Sequence, residues 1–170
     1  MASTPRIMTY ANGLLQHKEN LIVTLVGQKI DLCLISETHC TGESYIKLRW
    51  SDVNDTVHPN NCHNGGSAVF IKKEISRHED IKIEKEEFQV TSVKFKTASG
   101  LTTVPVFCSP SRHNLRREDY LNLLQSFSGK FILGGDFNSE DTHWGSRLTN
   151  KKKEMNFTMP SEGITVKYTR

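Results

Sequence analysis

The chain has 170 residues, 36% hydrophobic and 24% charged, enough for one domain with a sizeable core, in which roughly 70% of the unfolded chain's surface would be buried. Its 22 Lys and Arg against 19 Asp and Glu give a net charge of +3, compatible with a polyanionic partner but too mild to identify one. No apolar run approaches the roughly 18 residues of a membrane span, nothing resembles a signal peptide, and Cys33, Cys40, Cys62 and Cys108 show no C-x-x-C spacing, so the chain reads as intracellular, nuclear or cytoplasmic, with reduced, packed thiols.

Residues 6–10, RIMTY, have strand composition, and Ala11-Asn12-Gly13 is the turn out of them. Leu14, Leu15, Leu21, Ile22, Leu25 and Val26 recur at helical spacing, which predicts an amphipathic helix over residues 14–26 that Gly27 stops. Residues 30–36, IDLCLIS, form a nearly continuous apolar run of strand length, as expected for a strand covered on both faces, and Glu37 follows it. Strand, helix and strand in close succession make a βαβ unit, whose parallel strands end on the same sheet edge. Asn12 and Glu37 are therefore expected to be neighbours.

Residues 38–64 are polar and turn-rich, with a short strand near 51–57. His58, Cys62 and His63 are conceivable zinc ligands, but their spacing fits no closed zinc site and no fourth ligand is evident, which favours a plain surface. Three β-type segments follow, 66–72, 88–96 and 101–108, with Ala98-Ser99-Gly100 as the turn between the last two; consecutive strands of this kind predict an antiparallel sheet. Ser109-Pro110-Ser111 breaks the run. Arg112, His113, Arg116 and Arg117 then form a basic cluster at the start of a helix over 116–127, whose buried face is Tyr120, Leu121, Leu124 and Phe127. Such a cluster is either a solvated surface or a contact to a DNA backbone.

In the stretch KFILGGDFNSEDTHWGS, residues 130–146, Phe131-Ile132-Leu133 reads as a buried strand that Gly134-Gly135 ends, leaving Asp136 and Asn138 at its carboxyl end. Period-two alternation puts Asp136 and Asn138 on one side and Phe137 on the other. A carboxylate and a carboxamide placed so can orient a water and hold a hard divalent cation, or simply make an Asp/Asn turn. Beyond Ser146 the pattern fades into the charge run of residues 151–154 and a stretch without a convincing period. Asn12, Glu37, Asp136 and Asn138 all follow strands expected to share one sheet. Two carboxylates and two carboxamides suit Mg2+ and the hydrolysis of a phosphodiester.

At these residues the sequence resembles the endonuclease/exonuclease/phosphatase superfamily and, within it, the apurinic-type endonuclease domain of jockey-like non-LTR retrotransposons. The motifs are TYANGLLQHKENL, IDLCLISETH, GGSAVFIK, PVFCSP and FILGGDFNSEDTHWGSRL, in that order, within residues 6–153. The resemblance implies an α/β fold, a four-layer α/β sandwich of two mixed sheets flanked by helices, incomplete at the C-terminus, with the domain over 1–153 and a divergent tail over 154–170. It implies a Mg2+ (or Mn2+) dependent DNA endonuclease with Asn12, Glu37, Asp136 and Asn138 as its catalytic set. Glu37, with Asn12, would hold the metal, Asp136 orient or activate water, and Asn138 bond the phosphate, while Arg112, Arg116, Arg117 and Trp144 contact DNA. In those elements the domain nicks chromosomal DNA, and the exposed 3′ hydroxyl primes a reverse-transcriptase domain further along the same polyprotein; no membrane is involved.

Three departures stand beside the resemblance. The first motif is one asparagine short, Phe107 replaces a tyrosine, and no terminal Ser-Asp-His motif precedes Arg170. Losing one donor to an oxyanion costs about 10²- to 10³-fold and losing a positioned acid/base group roughly 10²- to 10⁴-fold, which implies a truncated copy with reduced or lost activity. The alternatives are another phosphoesterase of the superfamily, or a non-catalytic nucleic-acid-binding remnant using Arg112, Arg116, Arg117 and residues 151–153.

Overall fold

The apolar stretches near the N-terminus form the expected βαβ unit. In the computed structural model of the chain, which describes residues 5–11, 13–44, 46–97, 100–110, 113, 115–136 and 164–168, β1 (Ile7–Ala11) and β2 (Leu32–Ser36) run parallel and α1 (Lys18–Gly27) joins them. All of β2 is buried because it is covered twice. Cys33 and Ile35 cluster with Leu21 and Leu25 of α1, while Leu32 and Leu34 face a second sheet. The helix begins later than its apolar spacing predicts, since the amides of Gln16 and His17 both turn back to the Gly13 carbonyl, at 3.1 and 3.3 Å.

β3 (Ser51–Thr56) and β4 (Ser67–Lys72) complete the first sheet, in the order β1-β2-β4-β3 with β4 antiparallel to both neighbours. The second sheet contains β5 (Arg77–Glu84), β6 (Gln89–Thr97), β7 (Gly100–Cys108), β8 (Lys130–Asp136) and β9 (Ile164–Tyr168), hydrogen-bonded in that order. β5, β6 and β7 are antiparallel; β7, β8 and β9 are parallel, with α2 (Arg117–Ser126) crossing from β7 to β8. The antiparallel run expected from sequence is thus divided, β4 lying in one sheet and β6 and β7 in the other.

Both sheets are mixed and they pack face to face. Leu32, Leu34, Val69 and Ile71 of the first meet Val93, Phe95, Val104 and Val106 of the second, each such burial contributing about 1.5–3 kcal/mol against the entropy of ordering the chain. α2 lays Tyr120, Leu123 and Phe127 on Phe88, Val90, Phe107, Phe131 and Leu133. Leu123 takes the buried place expected of Leu121, and Leu124 is half-buried beside it. Helix, sheet, sheet and helix give the four-layer α/β sandwich. Among the described residues, no helix is long and apolar enough to cross a membrane.

β5 was not visible in the sequence. Its composition, RHEDIKIE, is that of an edge strand whose charges discourage pairing with a further chain. Arg77 is ion-paired to Asp52, and Asp80 to Lys94 at 2.8 Å. Where the register slips between Glu79 and Lys82, the Ser92 hydroxyl accepts the Ile81 amide at 2.8 Å and donates to its carbonyl at 3.0 Å. β9 is the other strand the sequence did not announce; its backbone adds to β8 in the register Phe131↔Ile164 to Gly135↔Tyr168.

Candidate functional site

Glu37 follows β2 directly and Asp136 is the last residue of β8. The two strands lie in different sheets, not in the single sheet expected from sequence. Their tips converge because the sheets approach closely there. A Cβ on Gly134 would meet Leu34 Cδ1 at 2.6 Å and Thr9 Cγ2 at 3.0 Å, so β8 passes almost against β1 and β2. Nor does the glycine pair end the strand. β8 continues through Gly134 and Gly135 to Asp136, and Gly135, at φ 136°, is where a side chain would overlap the main chain of Phe107.

Cys108 joins the two acids. It is the β7 partner of Asp136 in the ladder, and its sulfur accepts the Glu37 amide at 3.3 Å. Burial pushes its thiol up to about 12; the Glu37 hydrogen bond opposes that, and the Glu37 and Asp136 charges reinforce it. The sulfur is therefore a neutral thiol, not a thiolate that would attract a soft metal. What remains for a cation is carboxylate oxygen from two half-exposed acids, a donor chemistry that fits Mg2+ or Mn2+.

The backbone at Glu37 is unusual. Its φ of 53° lies in the left-handed region, which costs a side-chain-bearing residue about 1–2 kcal/mol. Surrounding bonds hold it there: the Gly13 amide donates to the Glu37 carbonyl at 3.0 Å, and the Thr38 and His39 amides donate to the Gly66 and Gly65 carbonyls at 3.2 and 2.9 Å. The buried Gln89 fixes that glycine loop from the opposite sheet, its Oε1 accepting the Gly66 amide at 3.0 Å. A Cβ on Gly66 would collide with the Thr38 hydroxyl. Cys108 and Gln89 were missed in the sequence because one reads as a packed thiol and the other as an ordinary strand residue.

Asn12, Asn138, Arg112, Trp144 and residues 151–153 lie outside the described residues. Arg116 and Arg117 are exposed at the start of α2, where the Asp119 carboxylate accepts the Arg116 amide at 2.8 Å. Phe107 is fully buried, with its ring 5.7 Å from those of Phe88 and Tyr120, in the layer under α2. Among the described residues, His58, Cys62 and His63 do not form a metal-sized group. The His63 Nδ1 instead lies 2.9 Å from the His39 carbonyl oxygen, and Cys62 accepts the Asn64 side-chain amide at 3.7 Å.

The sequence profile of the endonuclease/exonuclease/phosphatase family matches residues 10–169. The RNA-directed DNA polymerase from mobile element jockey of Drosophila melanogaster is 30% identical over 136 residues, which are 80% of this chain and 15% of that protein. The probable RNA-directed DNA polymerase from transposon X-element of the same species is 29% identical over 126 residues, 73% of this chain and 14% of that one. The chain thus spans about 15% of the length of the curated relatives it matches. Among solved structures, the endonuclease domain of TRAS1, a telomere-specific non-LTR retrotransposon, aligns with a TM-score of 0.67 at 18% identity, covering 88% of this chain and 67% of that one. The AP endonuclease LMAP from Leishmania major gives 0.60 at 11% identity, covering 87% and 60%. At such identities these two alignments speak for the fold.

Proposed function

The chain belongs to the endonuclease/exonuclease/phosphatase family, and from that premise we propose that it is a divalent-cation-dependent endonuclease that cuts the phosphodiester backbone of DNA. The observation that carries this reading is the bracketing of Cys108 by Glu37 and Asp136, two acids from different sheets gathered at one rim. In this reading Glu37, with Asn12, holds Mg2+ (or Mn2+). When bound, the cation supplies neutralisation of charge on the phosphoryl group. Asp136 orients the attacking water and accepts its proton, and Asn138 donates its amide to a phosphate oxygen. Arg112, Arg116, Arg117 and Trp144 hold the DNA, the arginines through its phosphates and without regard to sequence. The nick would expose a 3′ hydroxyl for a polymerase domain such as the names of the curated relatives denote.

The reading includes a reduced rate. Phe107 stands where the resemblance expects a tyrosine, and its ring is packed between Phe88 and Tyr120, so no hydroxyl is offered from that position. The same observation favours a second reading, nucleic-acid binding without hydrolysis. Relaxation of supercoiled plasmid separates the two. Slow nicking with Mg2+ that EDTA stops, and that Glu37→Ala or Asp136→Asn reduces by about 10²-fold or more, supports the nuclease. Salt-sensitive DNA binding with no nicking in any metal would leave only the second reading.

A further inference from the structure

His58, Glu86 and His113 are far apart in sequence and sit in three separate connections: after β3, between β5 and β6, and between β7 and α2. The sheet registers explain why they meet. Thr56, the last residue of β3, pairs with Ser67, which also pairs with Ser36 at the end of β2. Gln89, the first residue of β6, pairs with Cys108 at the end of β7. Gln89 in turn holds the Gly66 amide across the two sheets, which brings all three connections to one rim. One potential ligand atom from each of His58, Glu86 and His113 lies within 4.8 Å of the others.

From this we propose that His58, Glu86 and His113 bind a transition-metal dication of the zinc class, at a site separate from Glu37 and Asp136, and that the ion clamps the three connections together. Two imidazoles and one carboxylate are a donor set that takes Zn2+, at about 2.0–2.2 Å per bond, with a further position for water. Co2+ and Ni2+ bind the same chemistry, whereas Mg2+ demands oxygen and keeps its waters. The site is anchored on one side and adjustable on the other. His58 is fully buried, His113 is half-exposed and Glu86 is exposed, so small side-chain rotations at the outer two draw the donors in to bonding distance.

The backbone around each donor is already closed into a turn. The Lys85 amide donates to the Phe88 carbonyl at 3.0 Å, and the His113 amide to the Pro110 carbonyl at 3.0 Å. His58 Nδ1 accepts the Asn60 amide at 3.2 Å, which sets the plane of the ring. The clamp also reaches the acids: Ser109 donates its hydroxyl to the Glu87 carbonyl at 3.1 Å and its amide to the Asp136 carbonyl at 3.2 Å.

The test is a Co2+ titration of chelator-stripped protein, followed by visible absorption and by equilibrium dialysis, with Zn2+ as competitor. The wild type is expected to take up one Co2+ at micromolar concentration, lose it to Zn2+ and keep it in millimolar Mg2+. Glu86→Gln and His113→Ala should each weaken uptake roughly tenfold or more, while the metal-free variants melt where the metal-free wild type does. Zn2+ should raise the melting temperature of the wild type alone. Absence of saturable Co2+ uptake, or variants that bind as the wild type does, would overturn the proposal. Neither readout depends on nicking, so failure here leaves the reading of Glu37 and Asp136 untouched.

Discussion

The amide of Glu37, from one sheet, donates to the thiol of Cys108, from the other, at 3.3 Å. Burial keeps that sulfur and the sulfur of Cys33 protonated, although the Glu37 amide by itself favours the thiolate of Cys108. Burial pushes Cys33 up to about 12 from 9.0, and burial with the neighbouring acids does the same to Cys108. Each thiol stays neutral in the fold while its unfolded counterpart ionises above 9.0, so its contribution to stability is complete below that value and is lost as pH rises towards 12. The loss amounts to about 1.4 kcal/mol per pH unit for each thiol. Urea midpoints should fall steeply between about pH 9 and pH 11, and less steeply in Cys33→Ala; midpoints that hold steady across this range would contradict the burial of both thiols.

Alkylation reads the same burial directly. Cys33, Cys40 and Cys108 are buried and Cys62 is half-exposed. Iodoacetamide at neutral pH should add one label to the native chain, at Cys62, and four in urea, as counted by mass spectrometry. Prompt native labelling of Cys108 would mean that the contact between the sheets opens readily.

The adjacent glycines of β8 should differ sharply in their tolerance of a methyl group. At Gly135 the obstacle is the main chain of Phe107, which is locked into the β7–β8 ladder, and φ is 136°. Gly135→Ala should therefore cost roughly 3 kcal/mol or more, or prevent folding. At Gly134 the obstacles are side-chain atoms of Leu34 and Thr9, which can shift at about 1–3 kcal/mol. Equal urea midpoints for the two variants would refute this ordering.

The legible parts of the fold were those whose local pattern and final environment agree. β2 reads as a strand covered on both faces because its neighbours are α1 on one side and the second sheet on the other. β5 could not be read this way, since six of its eight residues are charged or His, and Arg77 and Asp80 are accommodated only by ion pairs to Asp52 and Lys94, which are distant in sequence. The sheet to which β4 belongs is a matter of pairing between distant segments, for which nothing in its own residues votes. The site divides similarly. Glu37 and Asp136 stand at strand ends as expected, but that each neighbours Cys108 from a different sheet goes with the close approach that Gly134 permits, and the left-handed turn at Glu37 depends on acceptors supplied by Gly65, Gly66 and Cys108.

Asp31 makes the opposite pH prediction to the thiols. Burial works to raise its pKa, but the Lys72 ammonium, at 2.6 Å, and the Arg6 amide, at 2.8 Å, more than offset this and leave it below 3.8. Its contribution is therefore present above 3.8 and is lost as pH falls through the lowered value. The pair is partly exposed, so Asp31→Asn should cost no more than about 1 kcal/mol at neutral pH. In urea titrations that difference should shrink towards zero as the pH falls through the lowered value; a difference that persists in strong acid would assign the effect to packing.

At Glu37, stability and activity should part. Its left-handed backbone, at φ 53°, suits glycine better than any residue with a Cβ. Glu37→Ala keeps the strain and loses the carboxylate, whereas Glu37→Gly loses the carboxylate and releases the strain. The released strain, about 1–2 kcal/mol, exceeds or matches the greater entropy that glycine gives the unfolded chain, about 0.5–1 kcal/mol. Glu37→Gly should therefore unfold at a urea concentration equal to or above that of Glu37→Ala, and on the proposed nuclease reading both variants should nick plasmid about 10²-fold or more slowly than the wild type. A glycine variant clearly less stable than the alanine one would show that the backbone at this acid is not held in the left-handed turn in solution.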